Sequence, residues 1–136
     1  VRIANGSKEK LSLGNLKIWR DWGYAPEYVD AMWCMLQQTK PEDFVIATGI
    51  SHSLEQFVDK VFRNLYLSWE DHVEINNEFL RPSDLQFSRG NTKRAELKLG
   101  WKAKIQFDEL AEELINIEVS KELHQHKLET KLIGIS

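Results

Sequence analysis

Cysteine is nearly absent: Cys34 is the only one in 136 residues. No disulfide can therefore form within the chain, and such usage suits a reducing cytoplasm, the expected location. Cys34 sits among apolar helix residues without a nearby His or Lys, so a buried, inert thiol is expected. No apolar run approaches the ~20 residues that span a bilayer, and no signal peptide opens the chain. Positive charge is not in excess either. Eighteen Lys and Arg against 21 Asp and Glu give a formal charge of −3, which offers no electrostatic case for nucleic acid or an anionic membrane as partner. No Gly-x-Gly-x-x-Gly or Walker-type loop occurs, so a cofactor-binding fingerprint is missing. Gly49-Ile50-Ser51-His52-Ser53 lacks the second glycine of a nucleophile elbow. No metal site is expected: His124 and His126, two apart on a helix, point to different faces, and His52 and His72 suit surface or capping roles.

What remains is an ordinary soluble composition, 42% apolar and 29% charged, in one domain covering residues 1–136. The elements predict an α+β unit, a small mixed sheet with flanking helices. Lys10 to Leu13 alternates as a short strand ending at Gly14-Asn15. Pro26 suits a first helical position, and the helix runs to about Gln38 with Val29, Met32, Trp33 and Leu36 at helical spacing. Phe44 to Gly49 is a continuous apolar run of the kind that forms a buried strand. Ser53-Leu54-Glu55-Gln56 is a capping box opening a helix that buries Phe57, Val61, Phe62 and Leu65. Trp69 to Asn76 alternates around Val73 and Ile75 as an edge strand. A short helix begins at Asn91 to Arg94 and closes at Gly100. A last helix, from about Phe107 to His124, carries Leu110, Leu114 and Ile117 on one face. Residues 122–136 read as a loosely held polar tail. Trp22, Trp33 and Trp101 stand in apolar contexts, where core packing is expected. The opening Val1 to Gly6 reads like a helix end closed by glycine, as in a chain cut inside an element.

Two arginines stand out. Arg20 lies in a loop four residues before the start of a helix, where a guanidinium can fork onto phosphate oxygens near the positive helix end. On local sequence alone the favoured reading is a plain Arg20–Asp21 surface pair, worth little. In Arg81-Pro82-Ser83-Asp84, the proline restricts its own φ and pushes Arg81 toward an extended conformation. Asp84 can come round to the same side of a turn, and a cation and a carboxylate presented together suit a nucleoside diphosphate. An ordinary proline-containing turn is the alternative.

Taken in order, the segments resemble the GDP-mannose 4,6-dehydratase family of extended short-chain dehydrogenases. Leu13 to Ala25 is similar to that family's Leu-Gly-Asn-Leu-Asp-Ala-x-Arg-Asp-Trp-Gly-His-Ala stretch. Met35 to Gln38, Pro41 to Gly49, Arg81 to Asp84, Gly90 to Ala95 and Lys98 to Trp101 match further family elements. Departures are Tyr24 for His, Ile18-Trp19 for a small-polar pair, Asp84 for Glu, and Asn91 for Asp, although Asn91 can still cap a helix.

The resemblance implies that Arg20 and Arg81 grip the substrate diphosphate and that Asp84 binds the nucleotide ribose. It places Lys10, Leu11 and Leu13 along guanine. The fold it implies is the C-terminal substrate-binding part of such an enzyme, lacking most of the Rossmann domain. The family's NADP loop and its Ser/Thr, Tyr, Lys and Glu catalytic set would then lie upstream of Val1. The ligand implied is GDP-mannose or GDP. The full-length enzyme would be an NADP-dependent homo-oligomer making GDP-4-keto-6-deoxymannose and water, and this fragment alone would be inactive with no cofactor bound. The alternatives are a non-enzymatic nucleotide-binding or assembly module, or part of a sister GDP-sugar reductase or epimerase.

Overall fold

The computed structural model describes the backbone of residues 1–81 and 83–133 and the side chains of residues 1–81 and 83–125. Strand β1 (Leu11–Leu13) lies parallel to β4 (Val73–Ile75), with Leu11 opposite Val73 and Leu13 opposite Ile75. Strand β2 (Trp19–Arg20) runs antiparallel to β3 (His52–Ser53). The expected α+β unit is present, with its parallel and antiparallel pairings in separate two-stranded sheets.

Four helices surround these ladders. Pro26 stands in the first turn of α1 (Ala25–Leu36), where a missing N–H costs nothing. Helix α2 (Leu54–Asn64) opens on the full capping box: Ser53 Oγ accepts from Gln56 N at 3.1 Å, and Gln56 Oε1 accepts from Ser53 N at 3.0 Å. Helix α3 (Lys93–Leu99) closes on Gly100 at φ 64°, and Asn91 Oδ1 accepts from Lys93 N at its start. Helix α4 (Phe107–Ile133) runs past His124 without a break. Residues 134–136 of the expected polar tail lie outside the described residues, as do the side chain of His126 and the whole of Pro82.

Two small cores hold the elements. Leu16, Val58, Phe62 and Val73 form one, joining α2 to the β1–β4 sheet. Ala31, Ala95, Trp101 and Ala103 form the other, where α1 meets α3 and Trp101 Nε1 donates to the Glu27 carbonyl. Each large apolar side chain buried there contributes about 1.5–3 kcal/mol.

Several expectations change. Phe44 to Ala47 forms no strand. Phe44 and Ile46 pack on the second core and Val45 faces out, as in a strand, but no ladder partner lies beside the run among the described residues. The apolar row of α1 points outward: Val29, Met32, Trp33 and Leu36 are all exposed, Trp33 at 66% and Leu36 at 78%. Trp33 is thus not a core residue, because α1 turns the row containing Tyr28 and Ala31 toward α3 instead. Cys34 is half-buried. Leu110 and Ala111 face inward on α4, which rotates Leu114 out to 42% exposure. His52 and His72 do packing work, His52 stacking on Phe107 and His72 on Phe62. No described helix is long and apolar enough to cross a membrane.

Candidate functional site

Arg20, the last residue of β2, and Asp21, which follows it, have side chains that do opposite jobs. Arg20 Nη1 donates to the carbonyls of Trp19 at 2.8 Å and Leu85 at 2.5 Å, and its Nη2 donates to Asp84 Oδ1 at 3.0 Å. The expected Arg20–Asp21 pair is therefore corrected: Arg20 takes Asp84, 64 residues on, as its carboxylate. Both side chains are partly buried, at 28% and 22% exposure, and water screens them less than a surface pair. A guanidinium has five N–H donors. Three are used here, so Nε–H and one Nη2–H remain for an incoming anion among the described contacts. Asp84 likewise keeps Oδ2 to accept from a hydroxyl.

Asp21 is spent on backbone. Its Oδ1 accepts from Thr48 N at 2.8 Å and Thr48 Oγ1 at 2.6 Å, and its Oδ2 from Gly49 N at 2.9 Å and Gly90 N at 3.1 Å. One carboxylate thereby joins three chain segments. Beside it, Gly23 lies under the Tyr28 hydroxyl, which a Cβ at that position would meet at 1.9 Å. Burial pushes the Tyr28 hydroxyl above its ordinary pKa, with help from the negative charges of Asp21 and Glu27.

The other predicted residues lie on the turn that carries Asp84 and on or just before β1. Arg81 is exposed, and its carbonyl accepts from Asp84 N at 3.1 Å, which closes a turn placing Arg81 at one end and Asp84 at the other. Pro82 between them lies outside the described residues. Gly14, just after β1, lies against the short 3-10 turn Asn77–Phe79, where a Cβ would stand 2.9 Å from the Phe79 carbonyl oxygen. Lys10 and Leu11 are exposed, while Leu13 packs against the first core. The structure thus brings Arg20 and Asp84 into contact and sets Arg81 at the start of the turn that carries Asp84, while among the described residues no hydrogen bond or ion pair joins Lys10, Leu11 or Leu13 to these three. Sequence reasoning missed the Asp21 bracket with Thr48, Gly49 and Gly90. Its partners are 27, 28 and 69 residues away, so no local spacing announces them. Among the described residues, no group of three His, Cys, Asp or Glu side chains could hold a metal.

A family model described as GDP-mannose 4,6 dehydratase matches residues 1–114. GDP-mannose 4,6 dehydratase 2 of Arabidopsis thaliana is 43% identical over 132 residues, covering 97% of this chain and 34% of that protein. The human GDP-mannose 4,6 dehydratase is 41% identical over 136 residues, covering 88% of this chain and 37% of that protein. The chain thus spans about a third of the length of the curated relatives it matches. Among solved structures, dTDP-glucose 4,6-dehydratase from Bacillus anthracis, in complex with NAD, superposes with a TM-score of 0.68. It is 18% identical and covers 77% of this chain and 33% of that one. UDP-glucose 4-epimerase from Bifidobacterium longum, in complex with NAD+ and UDP, gives a TM-score of 0.66 at 18% identity, covering 81% of this chain and 35% of that one. At such identities these two speak for the fold alone.

Proposed function

The chain belongs to the GDP-mannose 4,6-dehydratase family, and from that premise we propose that it forms the nucleotide-sugar-binding part of a longer sugar-nucleotide dehydratase. The observation that carries this reading is the Arg20–Asp84 pair, with donors still unspent, on the turn that begins at Arg81. Two guanidinium groups facing one diphosphate make charge-assisted hydrogen bonds, and Arg is suited to that planar, forked recognition. Asp84 Oδ2 accepts from a ribose hydroxyl of the same ligand, and Lys10, Leu11 and Leu13 supply the side of the site toward guanine. The ligand proposed is GDP-mannose, with GDP as its product-like core.

What these residues do is bind and orient. The relatives named above include proteins in complex with NAD, and an NADP in the whole enzyme would supply oxidation at the sugar and return of the hydride. The residues of this chain do not fit such a cofactor. Among the described residues the positive-φ glycines, Gly6, Gly49 and Gly100, stand in separate segments and form no phosphate cradle, and no Tyr-x-x-x-Lys occurs in its 136 residues. No chemical step is assigned to this chain. The outward apolar row of α1 and the unladdered run at Phe44 to Ala47 support a place within a larger, homo-oligomeric protein, where further chain would cover them.

The test is a product assay. The longer protein containing this sequence, given GDP-mannose and NADP, is expected to release GDP-4-keto-6-deoxymannose, and the isolated 136 residues to release none. Reduction or epimerisation of a GDP-sugar by the longer protein would instead assign a sister activity. No turnover, with no nucleotide bound, would leave an assembly module.

A further inference from the structure

Asp21 stands next to Arg20 in sequence, yet its carboxylate makes no bond to it. It accepts four hydrogen bonds, three of them from the backbone N–H groups of Thr48, Gly49 and Gly90. The segment from Asp84 to Gly90 is fastened to β2 at successive points. Arg20 holds Asp84 and the Leu85 carbonyl. The main chain of Trp19 accepts from Ser88 N and donates to the Gln86 carbonyl. Asp21 Oδ2 holds Gly90 and ends the row. The same carboxylate anchors this row to the 48–49 loop, and Ser51 Oγ ties that loop to the row a second time by donating to the Ser88 carbonyl at 2.6 Å.

We propose that Asp21 is a positioning residue for the diphosphate site, fixing where Asp84 sits and hence where the unspent donors of Arg20 point. This rests on the reading of Arg20 as a phosphate ligand. The physical reason for a carboxylate is its acceptor count. An ionised Asp offers two oxygens and about four lone-pair sites, whereas Asn offers one oxygen and turns an NH2 group toward N–H donors. Asp21→Asn therefore leaves part of the bracket unmet and frees either Gly49 and Gly90 or Thr48. The negative charge also matters for what it avoids. Because Asp21 is occupied by backbone donors, it does not compete with phosphate for its neighbour's guanidinium.

A merely structural role predicts lost stability without a specific loss of binding. Glu27 provides the matched control, since its carboxylate also gathers backbone donors, from Lys104 N and Ile105 N at 3.1–3.3 Å, but makes no hydrogen bond to the 84–90 segment. GDP would be titrated into the parent chain, Asp21→Asn, Glu27→Gln, Arg20→Ala and the Arg20→Ala/Asp21→Asn double variant, each confirmed folded. We expect the GDP Kd to rise roughly tenfold in Asp21→Asn, to stay within about twofold in Glu27→Gln, and to rise no further when Asp21→Asn is added to Arg20→Ala. Should Asp21→Asn fail to fold, Asp21→Glu keeps charge and acceptors while displacing the bracket by one methylene, and is expected to show the same Arg20-dependent loss. Additive losses in the double variant, or an equal loss in Glu27→Gln, overturn the positioning role. Unchanged GDP binding in Arg20→Ala overturns the reading of the site itself, and the positioning role with it.

Discussion

Gly90→Ala is expected to cost the fold about 3 kcal/mol. The reason is a close approach of two loops rather than a special backbone angle. A Cβ on Gly90 would stand 2.2 Å from the Ala47 Cβ and 3.2 Å from Val45 Cγ1. Ala47 is buried, so the clash cannot be relieved by swinging a flexible side chain away. The loops must part by more than an ångström, and overpacking of that kind costs ~1–3 kcal/mol. Parting also stretches the Gly90 N–H bond to Asp21, and a hydrogen bond to a charged group is worth ~1.5–3 kcal/mol. Gly100→Ala provides the contrast. Gly100 has φ 64° but nothing within 4 Å of a Cβ, so only the left-handed conformation is penalised, by ~1–2 kcal/mol. Urea midpoints of the two variants would separate these mechanisms. Adding Ala47→Gly to Gly90→Ala removes the atom met at 2.2 Å and should restore part of the loss. Equal destabilisation by Gly90→Ala and Gly100→Ala, with no recovery in the double variant, would contradict the close approach.

Arg81→Ala should reduce GDP affinity while leaving stability almost untouched. The turn at this position is closed by main chain, from Asp84 N to the Arg81 carbonyl, so it survives truncation of the side chain. The exposed guanidinium makes no ion pair among the described residues, and its loss leaves no buried charge behind. What disappears is a charge-assisted contact to phosphate worth ~1.5–3 kcal/mol, or roughly a 10- to 150-fold weaker Kd. Raising salt should narrow the difference between parent and variant, because an exposed cation is screened. Arg20→Ala is the less clean experiment, since it also cuts the ties to Asp84 and Leu85. GDP binding to Arg81→Ala as tight as to the parent would remove Arg81 from the site.

The parts of this fold that were legible in the sequence are those fixed by neighbours along the chain. Pro26, the Ser53–Gln56 box and Gly100 each satisfy a helix end within a few residues, so α1, α2 and α3 could be placed from local chemistry. Periodicity found the apolar row of α1, but not that Trp33 and Leu36 face outward, because period says which residues share a face and not what lies opposite. Phe44 to Ala47 has the composition of a strand and alternates its burial like one, yet a ladder needs a second chain segment. The site divides in the same way. Arg20, Arg81 and Asp84 were visible from type and order, while the exchange of partners that pairs Arg20 with Asp84 and turns Asp21 onto backbone depends on contacts up to 69 residues apart.

The central claim is that this chain presents a nucleoside-diphosphate site built on two arginines. Calorimetric titration of GDP into the folded 136-residue chain, at low and at high salt, tests it most directly. The account predicts saturable binding at one site, weaker at high salt and lost when Arg20 and Arg81 are both replaced by alanine. Absence of saturable binding at millimolar GDP, or binding that persists unchanged without both arginines, would contradict it.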